Sequence, residues 1–305
     1  MFPPNPLVNE LIKKCIARAL ELHPIQICAI VVESTHIHLL VRVIDPGDAV
    51  DFFERFKTES AHAINRLLGR KKRTVWCEGY DSPLIDDIET IKDKIAYIYE
   101  NPAKDGLVDQ VDHFPGVCTW NDFERLGPRS YHKRSYETRY VPRDEFKKLP
   151  EGPLVERDYE RLRRKLIHGK MKNSYEVDFN AWMRRFGITD PQEQHEINQN
   201  IIAMVREREA IHREERELKG RSVIGRRRLV ETPIGAPYRP DRKGRRMLVH
   251  SLDPEFRKKQ IHWIRELIQA GREVLECWRL GDMSVQYPMG LFPPTGIRLV
   301  EPIGW

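Results

Sequence analysis

Residues 25–43 read IQICAIVVESTHIHLLVRV, and this stretch decides the fold class. Its apolar runs, 25–32 and 36–43, are rich in β-branched residues, which favour strands. Only ESTH lies between the apolar parts, so the two runs predict an antiparallel hairpin. Alternate side chains of a strand point to the same face, so we expect His36 and His38 to lie side by side.

Helical patterns flank this hairpin. Residues 5–22 place apolar side chains at helical spacing after an Asn-Pro pair, which is typical of an N-cap and first-turn proline. Residues 48–68 repeat the helical period, 74–85 combine strand and loop signals, and 86–102 predict a helix closed by Asn101-Pro102. This order predicts an α+β fold, a small antiparallel sheet with covering helices.

The amino-acid composition of the chain changes beyond Trp120. Proline, glycine and charged residues dominate up to about residue 150, which predicts a linker or an extended arm. Helical patterns follow at 155–168, at 190–219 and at 253–278, the last two opened by Asp-Pro pairs. We therefore expect two domains, residues 1–125 and a mainly α-helical accessory domain at residues 126–305.

Charge is distributed unevenly along the chain. Residues 1–125 hold 15 Lys and Arg against 20 Asp and Glu, a net charge of −5. Residues 126–305 hold 37 against 26, a net charge of +11, so the formal total is +6. A basic half favours a polyanionic partner such as DNA, because lysines and arginines gain affinity by releasing counterions from phosphates. A charged helical surface exposed to solvent would give the same composition.

Composition excludes several classes of protein. No run approaches the roughly 20 apolar residues that span a bilayer, and the N-terminus lacks the pattern of a signal peptide, so we expect a cytoplasmic protein without membrane contact. The five cysteines are odd in number, widely spaced and without a CxxC motif. This usage predicts neither a disulfide framework nor a zinc knuckle.

Two pairs of residues have side chains that could bind a metal ion or take part in catalysis. His36 and His38, one residue apart on a strand, are placed to share a metal ion, although hydrogen-bonded structural histidines give the same pattern. Tyr97 and Asn101 are four residues apart on a helix and therefore share a face, where a nucleophile and an amide ligand could be presented together. The alternative is that Tyr97 packs in the core and Asn101 ends the helix.

Taken in order, these motifs resemble the one-tyrosine HUH transposases, the group of REP-associated tyrosine transposases and their bacterial insertion-sequence relatives. The resemblance covers about residues 5–120. It is carried by His36-Ile37-His38, Trp76, Tyr97 to Asn101-Pro102, Gly106-Leu107-Val108, Pro115-Gly116 and Trp120. It implies an HUH endonuclease palm in which His36, His38 and Asn101 hold Mg²⁺ or Mn²⁺. Tyr97 would then attack single-stranded DNA and form a covalent 5′-phosphotyrosine.

The resemblance also implies partners. We expect single-stranded DNA, with hairpins at the ends of a mobile element, a bacterial nucleoid-associated location, and a homodimer as one open assembly. DNA contacts are expected from Trp76 and the basic cluster Arg70, Lys71, Lys72 and Arg73. The chain departs from the family by beginning without room for an opening strand, and by carrying Ser34-Thr35 before the first histidine.

Two other functions remain open at this point. One is a non-catalytic DNA-binding protein descended from a transposase, which the missing opening strand favours. The other is a different metal-dependent phosphoesterase, in which the histidine pair works with Asp or Glu and not with Tyr97.

Overall fold

The structure is a computed structural model that describes residues 3–71, 73–77, 81–127, 132–141, 143–150, 152, 154–168, 172–234, 249, 251–289 and 291. The helices are α1 (Pro6–Leu22), α2 (Pro46–Leu67), α3 (Ile88–Lys104), α4 (Trp120–Glu124), α5 (Arg143–Lys147), α6 (Glu156–His168), α7 (Pro191–Leu218), α8 (Arg226–Glu231) and α9 (Pro254–Arg279). The strands are β1 (Gln26–Val32), β2 (Ile37–Arg42), β3 (Lys133–Arg139) and β4 (Lys172–Asp178).

The four strands form one sheet in the order β2-β1-β4-β3. The predicted hairpin is confirmed, because β1 and β2 pair antiparallel with Val31 opposite His38. The sheet is mixed and not purely antiparallel as expected, since β1 pairs with β4 in parallel through Ile27 and Val177. A parallel neighbour needs a long crossover connection, and the chain between β1 and β4 provides it.

Strands from both sides of residue 125 share this sheet. β3 lies inside the segment expected to be a linker or arm, and its antiparallel partner β4 follows α6. β4 covers the edge of β1 that is not used by β2, so β1 is an interior strand of the sheet. The division into residues 1–125 and 126–305 remains a prediction about which parts fold on their own.

Helices cover the sheet and set its core. α1 packs against α2, β3 and β4, and α3 packs against β1, β2 and α7. Asn5 caps α1 as predicted, its side chain accepting a hydrogen bond from the Val8 amide. The side chains of β1 are almost wholly buried, which fits its continuous apolar pattern. The predicted C-terminal helices are confirmed as α6, α7 and α9.

α3 runs one turn further than the sequence predicts. The expected stop at Asn101-Pro102 is wrong, because Pro102 lies inside the helix, which continues to Lys104. The true end is a Schellman motif: Gly106 has a φ of +66°, and the amides of Gly106 and Leu107 bond to the carbonyls of Ala103 and Pro102. The extra turn places Lys104 beside Tyr97.

Ion pairs fasten α7 to the N-terminal part of the chain. Arg206 bonds to Asp112, Glu124 and Glu209. Further along α7, Arg208 bonds to Asp93 at 2.6 Å and Arg216 bonds to Asp109 at 2.7 Å. Some of the arginines in the basic C-terminal half therefore form ion pairs with carboxylates of the acidic N-terminal half. Among the described residues, no helix is both long and apolar enough to cross a membrane.

Candidate functional site

A tight hairpin turn sets the position of the histidines. The Glu33 amide donates to the His36 carbonyl at 2.9 Å, so Ser34 and Thr35 form the loop between β1 and β2. The Thr35 hydroxyl shares a hydrogen bond of 2.8 Å with Nδ1 of His36. This bond fixes the imidazole through Nδ1 and leaves Nε2 directed elsewhere, at 3.5 Å from a Glu33 carboxylate oxygen.

Two histidines and a tyrosine from separate elements meet beside this turn. The rings of His36 and His38 are 4.6 Å apart between centroids, and the rings of His38 and Tyr97 are 5.6 Å apart. Both contacts are edge-to-face. Because α3 packs against β1 and β2, it carries Tyr97 to the face of the sheet on which both imidazoles lie.

Asn101 lies one turn beyond Tyr97 and is only 1% exposed. Its side-chain nitrogen donates to the Tyr97 carbonyl at 2.6 Å. That bond orients the amide and leaves its oxygen to accept from other groups or to bind a cation. The assignment of Asn101 as a metal ligand, like that of His36 and His38, remains a prediction.

Two carboxylates that the sequence reasoning missed complete the cluster. Glu33, His36 and Asp105 each offer a ligand atom, and these atoms lie within 4.8 Å of one another, a grouping that could hold a metal ion. Glu33 is 3% exposed. Asp105 had no clear signal in the sequence, because the expected helix stop at Asn101-Pro102 precedes it, whereas in the structure it is the C-cap of α3.

Burial and crowding shift the ionisation of this cluster. Burial, and next the neighbouring Asp105 carboxylate, raise the pKa of Glu33 from 4.5 to about 8. Burial, with the nearby His36 and Lys104, lowers the pKa of His38 to about 3. Burial also lowers the pKa of His36. Both shifts favour neutral imidazoles, so the contact of 3.5 Å between His36 and Glu33 does not need to be an ion pair.

These properties fit a divalent cation. Within the described part of the chain, His38 Nε2 and Glu33 Oε1 are buried and have no hydrogen-bond partner, an arrangement that costs about 1–3 kcal/mol for each group. Neutral imidazoles have a free electron pair for a metal, and two carboxylates held together are relieved of repulsion by a positive ion. The donor set therefore suits a metal ion.

The residues predicted to bind DNA are placed differently from one another. Lys71 and Arg73 are exposed, Arg70 is half-buried, and Lys72 lies outside the described residues. Trp76 packs against Phe56, with ring centroids 5.8 Å apart, and donates from Nε1 to Ser60 at 2.9 Å. These contacts give Trp76 a structural role in holding the segment after α2, while DNA binding by this cluster remains a prediction.

Comparison with known proteins agrees with the motifs. Residues 5–101, about a third of the chain, match the family model described as "Transposase IS200 like". Over this segment the chain is therefore similar to the IS200-like transposase family, which agrees with the resemblance to one-tyrosine HUH transposases over these residues. The match begins at the N-cap of α1 and ends at Asn101. No curated protein and no solved structure matches the chain.

Proposed function

We propose that this protein is a transposase that cuts and rejoins single-stranded DNA, with Tyr97 as the nucleophile and a divalent metal ion beside it. One observation carries the proposal. Tyr97, His38 and His36 come from two separate motifs, yet their rings form a chain with centroid distances of 5.6 Å and 4.6 Å. The family match over residues 5–101 supports the same reading, since it contains all three residues.

The metal would be held by His36 and His38 with the Asn101 side-chain oxygen, and by the carboxylates of Glu33 and Asp105. Oxygen-rich sites with imidazole suit Mg²⁺ or Mn²⁺ better than zinc, which prefers a closed tetrahedral set of nitrogen and sulphur ligands. When bound, such an ion supplies Lewis acidity that polarises the scissile phosphate. The buried and unpartnered atoms of Glu33 and His38 support this assignment.

Tyr97 would carry the covalent step. Its phenol oxygen forms a bond to phosphorus and loses its proton to solvent, while the bond to the 3′-oxygen breaks and that oxygen takes up a proton. The products are a 5′-phosphotyrosine and a free 3′-OH. A phenol with a pKa near 10 is a better leaving group than an alkyl alcohol, so a DNA 3′-OH can reverse the step without an external energy source.

DNA would be the partner of the whole chain. The excess of Lys and Arg in residues 126–305 gives an electrostatic attraction to phosphates, and the exposed Lys71 and Arg73 extend it towards α2. Hairpin-bearing single strands are the substrates that the family resemblance implies. The accessory role of residues 126–305, and a homodimeric assembly, belong to this proposal.

The test uses the full chain and a labelled hairpin-bearing single strand with Mg²⁺ or Mn²⁺. We expect a protein–DNA band that survives denaturation, and we expect Tyr97→Phe to abolish it while DNA binding persists. Tyr99→Phe is the matched control, because Tyr99 is two residues away on α3 but fully buried against Trp120. Binding without any cleavage by the unsubstituted protein would instead identify a non-catalytic DNA-binding descendant.

The Glu33–His36–Asp105 cluster also favours a second candidate, a metal-dependent phosphoesterase in which water attacks the phosphate. The two candidates differ in their dependence on Tyr97. Cleavage that continues in Tyr97→Phe without a covalent band would support the hydrolytic function and exclude Tyr97 as the nucleophile.

A further inference from the structure

Lys104 is the last residue of α3 and lies seven positions after Tyr97, a spacing of almost two complete helical turns. Its side chain therefore stands on the same helix face as the tyrosine. Lys104 Nζ lies 3.1 Å from the Tyr97 hydroxyl oxygen, to which it donates a hydrogen bond, and 4.3 Å from the centroid of the ring. The ammonium group thus contacts the atom that the proposed function assigns to nucleophilic attack.

The contact is open to solvent, and so to a substrate. The hydrogen bond between Lys104 and Tyr97 is exposed, whereas the bond between Asn101 and the Tyr97 carbonyl is partly buried. A phosphate that approaches the phenol oxygen would therefore meet the Lys104 ammonium at the same time. A lysine ammonium is a compact point charge with three donors, so it can bond to the phenol oxygen and a phosphate oxygen together.

A second lysine on α3 provides a comparison. Lys94 also lies over the Tyr97 ring, with Nζ 5.5 Å from the centroid. Its ammonium, however, is 3.0 Å from a carboxylate oxygen of Asp93, which in turn bonds to Arg208. Lys94 is thus tied into the ion pairs between α3 and α7, while the Lys104 ammonium is directed at the phenol.

We propose that Lys104 is a positioning and charge-stabilising residue for DNA cleavage, which holds the Tyr97 hydroxyl and neutralises negative charge on the phosphoryl group under attack. The proposal rests on the function proposed above. Lys104 forms and breaks no covalent bond in this role, so it adds no step to the transfer already written. Hydrogen bonds from a charged donor strengthen as negative charge develops, and such a group therefore favours the transition state over the ground state.

The experiment measures single-turnover formation of the denaturant-stable adduct, together with the dissociation constant for the same DNA. We expect Lys104→Gln to slow adduct formation roughly 100-fold, the usual effect of losing one donor to developing charge, with little change in DNA affinity. Lys104→Arg should restore most of the rate because it keeps the charge and the donor. Lys94→Gln, the matched control, should stay close to the unsubstituted rate.

The outcomes separate this proposal from the one on which it rests. An adduct from the unsubstituted protein with an equal rate in Lys104→Gln would overturn the role of Lys104 alone. A Lys104→Arg variant as slow as Lys104→Gln would also overturn it, since charge would then not be the relevant property. Absence of an adduct in every variant, the unsubstituted protein included, would contradict the proposed function and the role of Lys104 with it.

Discussion

The hairpin cluster of Glu33, His36 and His38 and the interface between α7 and residues 111–124 are both rich in polar groups, but the hydrogen-bonding needs of these groups are met differently in the two regions. At the interface, Arg206 bonds to three carboxylates, and Glu209, whose side chain is 1% exposed, also receives a bond from the Val111 amide. In the hairpin cluster, buried atoms of Glu33 and His38 have no partner among the described residues. Paired groups indicate a structural role here, while the unpaired atoms of Glu33 and His38 are the groups that the proposed metal ion would bind.

The difference also shows in ionisation. At the interface, burial raises the pKa of Asp112, but hydrogen bonds from Arg206 and Trp120, together with the Arg206 charge, outweigh burial and lower the pKa to about 2. In the hairpin cluster, burial and a second carboxylate raise the pKa of Glu33 to about 8. The first region is stabilised by its own charges, while the second would be stabilised by a cation that the chain does not itself provide.

The largest expected effect comes from His38→Ala. Loss of a metal ligand should slow adduct formation by at least about 100-fold, because even residues that only orient a ligand cost about 10- to 100-fold. We expect Mn²⁺ at one hundred times its dissociation constant to raise the free energy of unfolding of the unsubstituted protein by about 2.7 kcal/mol, and His38→Ala should remove this stabilisation. Differential scanning calorimetry with and without Mn²⁺ measures it.

His195→Ala is the control for that experiment. His195 lies on α7 and also has a buried ring nitrogen without a partner among the described residues, but it is not part of the hairpin cluster. It should respond to Mn²⁺ as the unsubstituted protein does. An equal loss of the Mn²⁺ response in both variants would remove the distinction between the two regions.

Arg206→Met should have the next largest effect, on stability and not on chemistry. It leaves the Glu209 carboxylate buried without its cation, and we expect the free energy of unfolding to fall by about 2–3 kcal/mol, below the full cost of a wholly buried pair because Arg206 is partly exposed. Urea denaturation measures this change. Arg227→Met, which breaks an exposed ion pair on α8, should lower the free energy of unfolding much less. Equal effects would show that the interface is not a stabilising network.

Acid titration gives a smaller effect with a defined direction. Because the pKa of Asp112 is lower in the folded protein than its ordinary value of 3.8, its ionised form contributes stability above that value. This contribution is lost as the pH falls from about 4 towards 2. In Asp112→Asn the stability should depend less on pH in this window, as followed by circular dichroism, and an unchanged acid transition would contradict the assignment of this pair.

The smallest expected effects concern the exposed basic residues after α2. Lys71→Ala and Arg73→Ala should each weaken DNA binding several-fold. Each should also make the slope of log affinity against log salt concentration shallower by about 0.7, the value for one phosphate contact with a single strand. Trp76→Ala should instead lower stability, because it removes the packing on Phe56. Binding that is independent of salt in all variants would exclude this cluster from the DNA surface.

Local patterns predicted much of this fold. The hairpin, α1, α2, α7 and α9 all follow from apolar period and capping residues, which act within a few positions of one another. β3 and β4 could not be predicted in this way, because their sequences KRSYETR and KNSYEVD consist mostly of charged and polar residues and have few apolar ones. Their Tyr136 and Tyr175 pair across the sheet from positions 39 residues apart, and such a contact carries no local signal.

The candidate site was predictable to a similar extent. His36, His38 and Tyr97 stood out by their spacing, whereas Glu33 and Asp105 belong to the commonest residue types on a protein surface. What distinguishes Glu33 is burial at a hairpin turn, which depends on the tertiary fold. Lys104 was missed for a further reason, since the expected helix stop at Pro102 placed it outside the helix that presents Tyr97.

The central claim is that Tyr97 itself becomes bonded to DNA. The most direct measurement is mass spectrometry of the protein after reaction with a hairpin-bearing single strand, nuclease trimming and proteolysis. We predict a nucleotide attached through a 5′-phosphate to the peptide that contains Tyr97. Attachment to any other residue, or cleaved DNA with every tyrosine unmodified, would contradict the account.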